Sequence, residues 1–301
     1  LVTMAQQVKE GPKHISVAPV LAAKSAGEIA DEVVATKEIS QDTIAKTNQF
    51  VISIEQGSEQ ALAKIPNISI TSHIYSSQAN RRSIVVNDER FFYANRCILP
   101  YVNEGIRLLQ EGVVPALIEN AAKLVGMPLG PLQLTDETSI DLGAKIARAT
   151  KAGDPDYDDT TDELIFWMEG EGRLGRKAAA GFYAYDEKGK RQGLWDGLGE
   201  RYAAADDQPE LIEVQHRLLF AQVLEAVRAL EAGVLMDIRE GDVGAILGWG
   251  FAPWSGGPFS WLDILGTPYA AERCDQLEAE FGPRFACPPL LREMADKGQS
   301  F

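Results

Sequence analysis

An internal repeat is the feature of this sequence that most constrains its fold. Three residues recur 121 positions later in the same order and spacing: Arg96, Glu104 and Gly112 return as Arg217, Glu225 and Gly233. After a short insertion the offset becomes 127: Gly130-Pro131 and Asp136 return as Gly257-Pro258 and Asp263. The text between the matches also agrees, with EGIRLLQEG at 104–112 against EAVRALEAG at 225–233. We interpret this as a duplication, which predicts two structural copies that open with the same element.

That opening element is predicted to be a long amphipathic helix. Apolar residues step by three and four along one stripe in each copy, at Leu99, Val102, Ile106, Leu109 and Val113, and at Leu219, Val223, Ala226, Leu230 and Val234. Gly112 and Gly233 lie where these helices are expected to end. Further helices are predicted over 117–125 and 141–149, separated by a turn rich in Gly and Pro. The second half of the chain should therefore be mainly helical.

Composition excludes several classes of protein. The chain has 301 residues, of which 45% are apolar and 24% charged, as in ordinary globular proteins. Its formal net charge of −15 would repel a polyphosphate backbone, so we expect no nucleic-acid partner. Charges, Gly and Pro interrupt every apolar run, so no membrane span is predicted. Three widely spaced cysteines suggest neither a disulfide framework nor a zinc site and fit a reducing, cytoplasmic compartment.

Two local patterns bear on function and local structure. The segment 151–163 carries five Asp around Pro155, but the Gly and the final Glu of an EF-hand loop are not in register, so we favour a solvated acidic loop over a calcium site. Residues 181–185 alternate aromatic and small residues and predict a short strand and turn. The chain has no P-loop, and no stretch in residues 1–45 supplies a dinucleotide-binding fingerprint.

An ordered series of motifs then resembles the L-3-hydroxyacyl-CoA dehydrogenase family. The motifs are VVNDERFFYANR at 85–96, GMPLGPL at 126–132, GRLGRK at 172–177 and GFY at 181–183. The similarity is to the form in bacterial multifunctional fatty-acid oxidation proteins (fatty oxidation complex, alpha subunit), in its C-terminal dehydrogenase part, and it covers about residues 46–270. The family pattern usually has Gly where this chain has Arg90. We expect that change to alter the local turn without removing a reacting group.

The resemblance implies a fold and a domain organisation. The fold would be mainly α, with duplicated helical 3-hydroxyacyl-CoA dehydrogenase C-terminal domains preceded by a partial α/β Rossmann-type segment. We predict a partial NAD-binding region at 1–86, a first helical repeat at 87–205 and a second at 206–301. The implied activity is NAD-dependent oxidation of L-3-hydroxyacyl-CoA to 3-oxoacyl-CoA in fatty-acid β-oxidation. An acyl-CoA thioester is the expected substrate, and either a homodimer or association with a thiolase subunit is expected for assembly.

The resemblance also assigns roles to individual residues. His73 would be the catalytic base that takes the proton of the 3-hydroxyl, and Asn95 would donate a hydrogen bond to the substrate oxygens. Asn48 lies near a turn of the family's nucleotide-binding region and is our candidate for cofactor binding. His216 occupies the position of Asn95 in the second copy and is expected to be structural. Arg173, Arg176 and Lys177 are interpreted as a solvated basic turn in preference to a CoA phosphate site.

The sequence also departs from the family pattern. Asn87 follows His73 by only 14 positions, where the family has several tens of residues that include the Glu partner of its His. We expect these residues to come from a longer polypeptide with more of the Rossmann domain. The alternative is a non-catalytic helical dimerisation or assembly module derived from the family. Acyl chain-length preference and the presence of an enoyl-CoA hydratase half cannot be read from the residues.

Overall fold

The structure, a computed structural model, describes residues 16–17, 84–154 and 157–301. Most of these residues lie in helices, joined by short turns and two small antiparallel sheets. The strands are β1 (Ser16–Val17), β2 (Val85–Val86), β3 (Tyr183–Tyr185) and β4 (Arg191–Leu194). The helices are α1 (Ala94–Gln110), α2 (Pro115–Leu124), α3 (Pro131–Thr138), α4 (Ile140–Gly153), α5 (Asp162–Gly170), α6 (Gly197–Arg201), α7 (Leu211–Glu231), α8 (Ile238–Gly248), α9 (Pro258–Leu265), α10 (Thr267–Phe281) and α11 (Pro289–Lys297).

The described residues form two compact units, and each unit draws on both copies of the repeat. The first unit contains the described residues up to Arg96, together with 225–272 and 287–301. The second unit contains 97–224 and 273–286. The predicted boundaries at 86/87 and 205/206 follow the order of the repeats along the chain and stay a prediction. Because α1 and α7 each pass from one unit to the other, neither copy builds a unit by itself.

The two predicted long helices are present as α1 and α7. Ile106, Leu109, Leu219 and Val223 on the predicted stripes are buried, at 1% exposure or less. Both helices end before a glycine in the left-handed region, Gly112 with φ +86° and Gly233 with φ +69°. After each glycine, the amide of a valine donates to a carbonyl five residues back, from Val113 to Leu108 and from Val234 to Ala229. The two copies therefore end their opening helix in the same way.

The copies also share the cap of the short helix that follows. In the second unit, the buried carboxylate of Glu119 accepts hydrogen bonds from the amides of Leu132 and Gln133 at the start of α3. In the first unit, the carboxylate of Asp242 accepts from the amides of Phe259 and Ser260 at the start of α9. Each carboxylate thus satisfies amides that a helix N-terminus leaves without a partner in the helix. Gly130 and Gly257 precede these helices, and a Cβ at either glycine would lie within 2.4 Å of the carboxylate.

Reciprocal ion pairs join the two copies within each unit. In the first unit, Nη2 of Arg96 lies 2.6 Å from Oε1 of Glu225. In the second unit, Nη2 of Arg217 lies 2.5 Å from Oε1 of Glu104. The arginine of one copy therefore pairs with the glutamate of the other in both units, at positions that the repeat aligns.

The second of these pairs is the buried centre of a cluster of four charges. The side chains of Arg217 and Glu104 are 2% and 1% exposed. Arg217 also binds the Glu111 carboxylate and stacks 4.0 Å above the ring of Phe281. The Nε of Arg284 lies 2.7 Å from Glu104. Removal of Glu104 would take the buried carboxylate from Arg217 and leave it with Glu111, whose side chain is 41% exposed, so we expect strong destabilisation.

The four described strands are short and form two antiparallel pairs. β3 pairs antiparallel with β4, with Tyr183 opposite Leu194, and this confirms the strand predicted at 181–185. β1 pairs antiparallel with β2, with Ser16 opposite Val86. The mainly helical fold predicted from the sequence is confirmed. Beyond β1 and residues 84–86, the predicted Rossmann-type segment lies outside the described residues. Within the part of the chain that the structure describes, no helix is long and apolar enough to cross a membrane.

The four-charge cluster yields a stability prediction. We expect Glu104→Ala to lower the free energy of unfolding by up to about 3–5 kcal/mol, because it removes the buried carboxylate between Arg217 and Arg284 and leaves Arg217 with the partly exposed Glu111. The control is Glu293→Ala, which removes an exposed glutamate paired with Lys297 and should leave unfolding close to that of the wild type. Urea unfolding followed by circular dichroism gives both values. Equal effects of the two substitutions would contradict the importance given to the cluster.

Candidate active site

Asn95 is the predicted site residue that the structure describes. It is the second residue of α1 and its side chain is exposed. His73 and Asn48 lie outside the described residues. The candidate site is therefore built here from Asn95 and the groups that hold its helical turn.

The turn before Asn95 has an unusual backbone. Phe91 and Phe92 have φ values of +67° and +52°, in the left-handed region that residues with a Cβ rarely adopt. The amide of Phe92 donates to the carbonyl of Glu89, and the guanidinium of Arg90 lies 4.8 Å above the ring of Phe91. A non-glycine residue held in this region costs about 1–3 kcal/mol and persists only where its surroundings impose the conformation. The sequence predicts an altered turn at Arg90, and the two strained residues follow directly after it.

Residues on both sides of the strained turn are anchored to the second copy. The amide of Asn87 donates to the carbonyl of Val234, and its side-chain Nδ2 donates to the carbonyl of Gly233. Tyr93 is 1% exposed and packs edge-on against Trp249, with ring centroids 5.3 Å apart. These anchors keep the chain from relaxing through residues 91 and 92.

An ion pair fixes the first turn of α1 from the other side. Arg96 directly follows Asn95, and its Nε and Nη2 both contact Oε1 of Glu225, at 2.7 and 2.6 Å. The other carboxylate oxygen of Glu225 lies 3.6 Å from Arg228. The sequence analysis identified Arg96 and Glu225 as repeat positions but missed this contact. The available signal for this contact was the repeat, which aligns Arg96 with Arg217 and Glu225 with Glu104.

His216, the counterpart of Asn95, has a different environment. It lies inside α7, where the Nε of Arg273 donates to its Nδ1 at 3.3 Å and its ring packs edge-on against Phe220. Burial and the nearby positive charge of Arg273 lower the pKa of His216. A neutral, half-buried imidazole held by an arginine fits the structural role expected for His216.

A second polar cluster surrounds Asp136 in the second unit, and the sequence analysis missed its role. The Asp136 carboxylate accepts from the amides of Phe182 and Tyr183 at 2.7 and 2.9 Å and from the Tyr185 hydroxyl at 2.9 Å. Burial raises the pKa of Asp136 to about 6, although these hydrogen bonds oppose the rise. Asp263, its repeat counterpart, accepts from the amide of Phe301. The recurrence of this aspartate was the available signal, and its role is to hold the strand β3.

The basic turn is used within the protein. Arg173 donates to the carbonyls of Gly181 and Tyr183 and stacks 4.0 Å over Trp195. Arg176 pairs with Glu137, and Lys177 pairs with Asp141. All three cations thus contact protein groups. Arg176 and Lys177 are exposed as expected for a solvated turn, whereas Arg173 is half-buried against Trp195.

The acidic loop offers no metal site among the residues that the structure describes. Asp158 pairs with Arg107 at 2.5 Å, and Asp159 pairs with Lys151 at 2.5 Å. Across the described ranges 84–154 and 157–301, no group of three His, Cys, Asp or Glu side chains is placed to hold a metal ion. Two carboxylates of this loop are therefore committed to ion pairs.

The spacing Gly-x-Gly-x-x-Gly occurs once in the chain, at Gly170, Gly172 and Gly175. A dinucleotide-binding fingerprint must follow a strand and open a long helix. Here the first glycine ends α5, and the third precedes a 3-10 turn of three residues, Arg176–Ala178. This glycine run is therefore not a nucleotide-binding turn.

Comparisons with known proteins agree with the resemblance seen in the motifs. The family model of the 3-hydroxyacyl-CoA dehydrogenase C-terminal domain matches residues 92–185. The dehydrogenase part of multifunctional enzyme 1 from C. elegans is 22% identical with a TM-score of 0.57, over 74% of this chain and 52% of that one. A 3-hydroxybutyryl-CoA dehydrogenase from Escherichia coli K12 is 20% identical with a TM-score of 0.48, over 69% of this chain and 60% of that one. This chain therefore spans less than two thirds of either solved structure.

The Asp136 cluster predicts a pH dependence of stability. The carboxyl has an ordinary pKa of 3.8 and a folded-state pKa of about 6, so the folded state binds the proton more tightly. Stability from this group should therefore fall by up to about 3 kcal/mol as pH rises from about 4 to about 6. Asp136→Asn should remove this part of the dependence, whereas Glu137→Gln, a change at the adjacent carboxylate, should retain it. Urea midpoints across this pH range test it, and parallel curves for wild type and Asp136→Asn would refute it.

Proposed function

We propose that this protein oxidises L-3-hydroxyacyl-CoA to 3-oxoacyl-CoA with NAD, as a step of fatty-acid β-oxidation, since its residues 92–185 match the C-terminal domain of the 3-hydroxyacyl-CoA dehydrogenase family. The observation that carries the proposal is the match of residues 92–185, which includes Asn95 on an exposed and firmly held helical turn. The side chain of Asn95 is available to a ligand, while the buried Tyr93 and the Arg96 pair fix the backbone on either side of it.

The chemistry requires a base and a hydrogen-bond donor beside the reacting carbon. Oxidation of a secondary alcohol releases the hydroxyl proton as hydride leaves the same carbon, so a base with a pKa near neutrality is needed. We assign that base to His73, since an imidazole titrates in this range. The carboxamide of Asn95 would donate to the oxygens of the substrate and orient its third carbon. NAD, when bound, supplies the hydride acceptor.

The assignment of the nucleotide rests on the family alone. The region that we assign to NAD is 1–86, with Asn48 as the candidate contact residue. Of that region the structure describes Ser16–Val17 and residues 84–86, which are too few to test the fit of a dinucleotide. We therefore restrict the mechanism to proton transfer at His73 and substrate orientation by Asn95.

The expected partners follow from the same proposal. An acyl-CoA thioester would be the substrate, in the cytoplasm. For assembly we propose either a homodimer or association with a thiolase subunit, on the basis of the motifs that resemble bacterial multifunctional fatty-acid oxidation proteins. The formal net charge of −15 disfavours nucleic acid as a partner.

A non-catalytic assembly module is the second candidate. It is favoured by the short distance in sequence between His73 and Asn87 and by the lack of a glycine-rich turn in residues 1–45. In that case the duplicated helices would keep the family's shape without turnover. The two candidates differ in one measurable property, the reduction of a 3-oxoacyl thioester.

Enzymatic reduction of acetoacetyl-CoA by NADH in the full-length natural protein tests the proposal. We expect turnover in the wild type and a loss of about 100-fold in kcat for Asn95→Ala, since loss of one positioned donor to a reacting oxygen has an effect of this order. The matched control is His216→Ala, which truncates the equivalent residue of the second copy and should retain wild-type kcat.

Absence of turnover in the well-folded wild type would favour the assembly module. Equal losses of kcat in Asn95→Ala and His216→Ala would contradict the assignment of substrate orientation to Asn95 of the first copy. Loss of NADH absorbance measures the reaction, and thermal unfolding of each variant verifies that it is folded.

A further inference from the structure

The first copy begins its long helix later than the second copy does. Asn95 is the second residue of α1, so only Ala94 precedes it in the helix. His216, at the matching position, is the sixth residue of α7 and follows a full helical turn. The helix of the first copy is thus shortened just before the residue assigned to the substrate.

The shortening coincides with the strained turn. Phe91 and Phe92 are left-handed, whereas the residues that precede His216 in α7 have ordinary helical conformations. This difference between two copies of one motif exposes Asn95 on the first turn of α1, while His216 is half-buried. A strained conformation of this kind persists only if the surrounding structure holds it, and such strain is often found at functional sites.

The contact that holds the shortened end is the ion pair between Arg96 and Glu225. Because Arg96 adjoins Asn95 and directs both Nε and Nη2 to one carboxylate oxygen, the pair restricts the rotation of the first turn. We infer that Glu225, acting through Arg96, is a positioning residue that sets the direction of the Asn95 carboxamide toward the substrate. This inference rests on the proposed function and adds a residue of the second copy to the site.

Comparison with the other reciprocal pair separates positioning from stabilisation. Arg217 and Glu104 are 2% and 1% exposed and belong to a four-charge cluster. Arg96 and Glu225 are 19% and 16% exposed, and the second cation beside Glu225 among the described residues is the more distant Arg228. A partly exposed pair of this kind contributes much less to stability than a buried network does. Its loss should therefore disturb the geometry of Asn95 more than it disturbs folding.

The test is a double-mutant cycle in the full-length natural protein, with NADH and acetoacetyl-CoA as substrates. We expect Glu225→Gln to lower kcat about 10-fold with a small change in KM, because misplacement of an orienting group acts mainly on the transition state. In the Asn95→Ala background, the same Glu225→Gln change should alter kcat less than about twofold, because the two residues act as one unit. Arg96→Lys, which keeps the charge but loses the two-nitrogen contact, should give an intermediate kcat.

Glu104→Gln is the matched control, since it neutralises the equivalent glutamate of the other pair. It should lower the melting temperature more than Glu225→Gln does and leave kcat unchanged. An active wild type with unaltered kcat in Glu225→Gln, or additive losses in the cycle, would overturn the positioning role alone. A folded wild type that neither binds nor reduces acetoacetyl-CoA would overturn the proposed function and the positioning role with it.

Discussion

The crossed pairing of arginine and glutamate between the two copies is the constraint on which the described structure depends. In each unit a guanidinium from one copy meets a carboxylate from the other, and in the second unit both groups are almost fully buried. A buried charge is tolerated only with its partner, so in the second unit each copy needs the charge that the other supplies. This requirement agrees with the composition of the units, each of which takes segments from both copies.

The two copies also share equivalent contacts between a carboxylate and backbone amides. Glu119 and Asp242 each close the N-terminus of a short helix, and Asp136 and Asp263 each hold a later backbone segment. The helices α3 and α9 even end in the same conformation, with φ and ψ of +82° and +124° at Ser139 and +84° and +127° at Gly266. The duplication is therefore visible in backbone geometry at places where the side chains differ.

Sequence reasoning predicted the helices well because their signals are local. The stripes of α1 and α7 and the glycines that end them follow from helical periodicity and from the freedom of glycine at positive φ.

The crossed pairs could not be predicted, since Arg96 and Glu104 lie eight residues and about 12 Å apart along one helix, and each therefore needs a partner from elsewhere. The strained turn was also beyond prediction. The family pattern placed a glycine at position 90, whereas positive φ falls on Phe91 and Phe92. The relation of His73 and Asn48 to Asn95 remains a prediction.

The difference between the two copies suggests why both were retained. A residue that contacts a ligand must be exposed and held in a fixed direction. A charged cluster that stabilises the fold is buried instead, so one set of residues does not meet both requirements. The second copy meets the demand for stability, with Arg217 buried among Glu104, Glu111 and Phe281. The first copy can then carry an exposed Asn95, a strained turn and a partly exposed ion pair. With Asn95 assigned to the substrate as proposed, duplication would allow one motif to serve folding in one unit and ligand binding in the other.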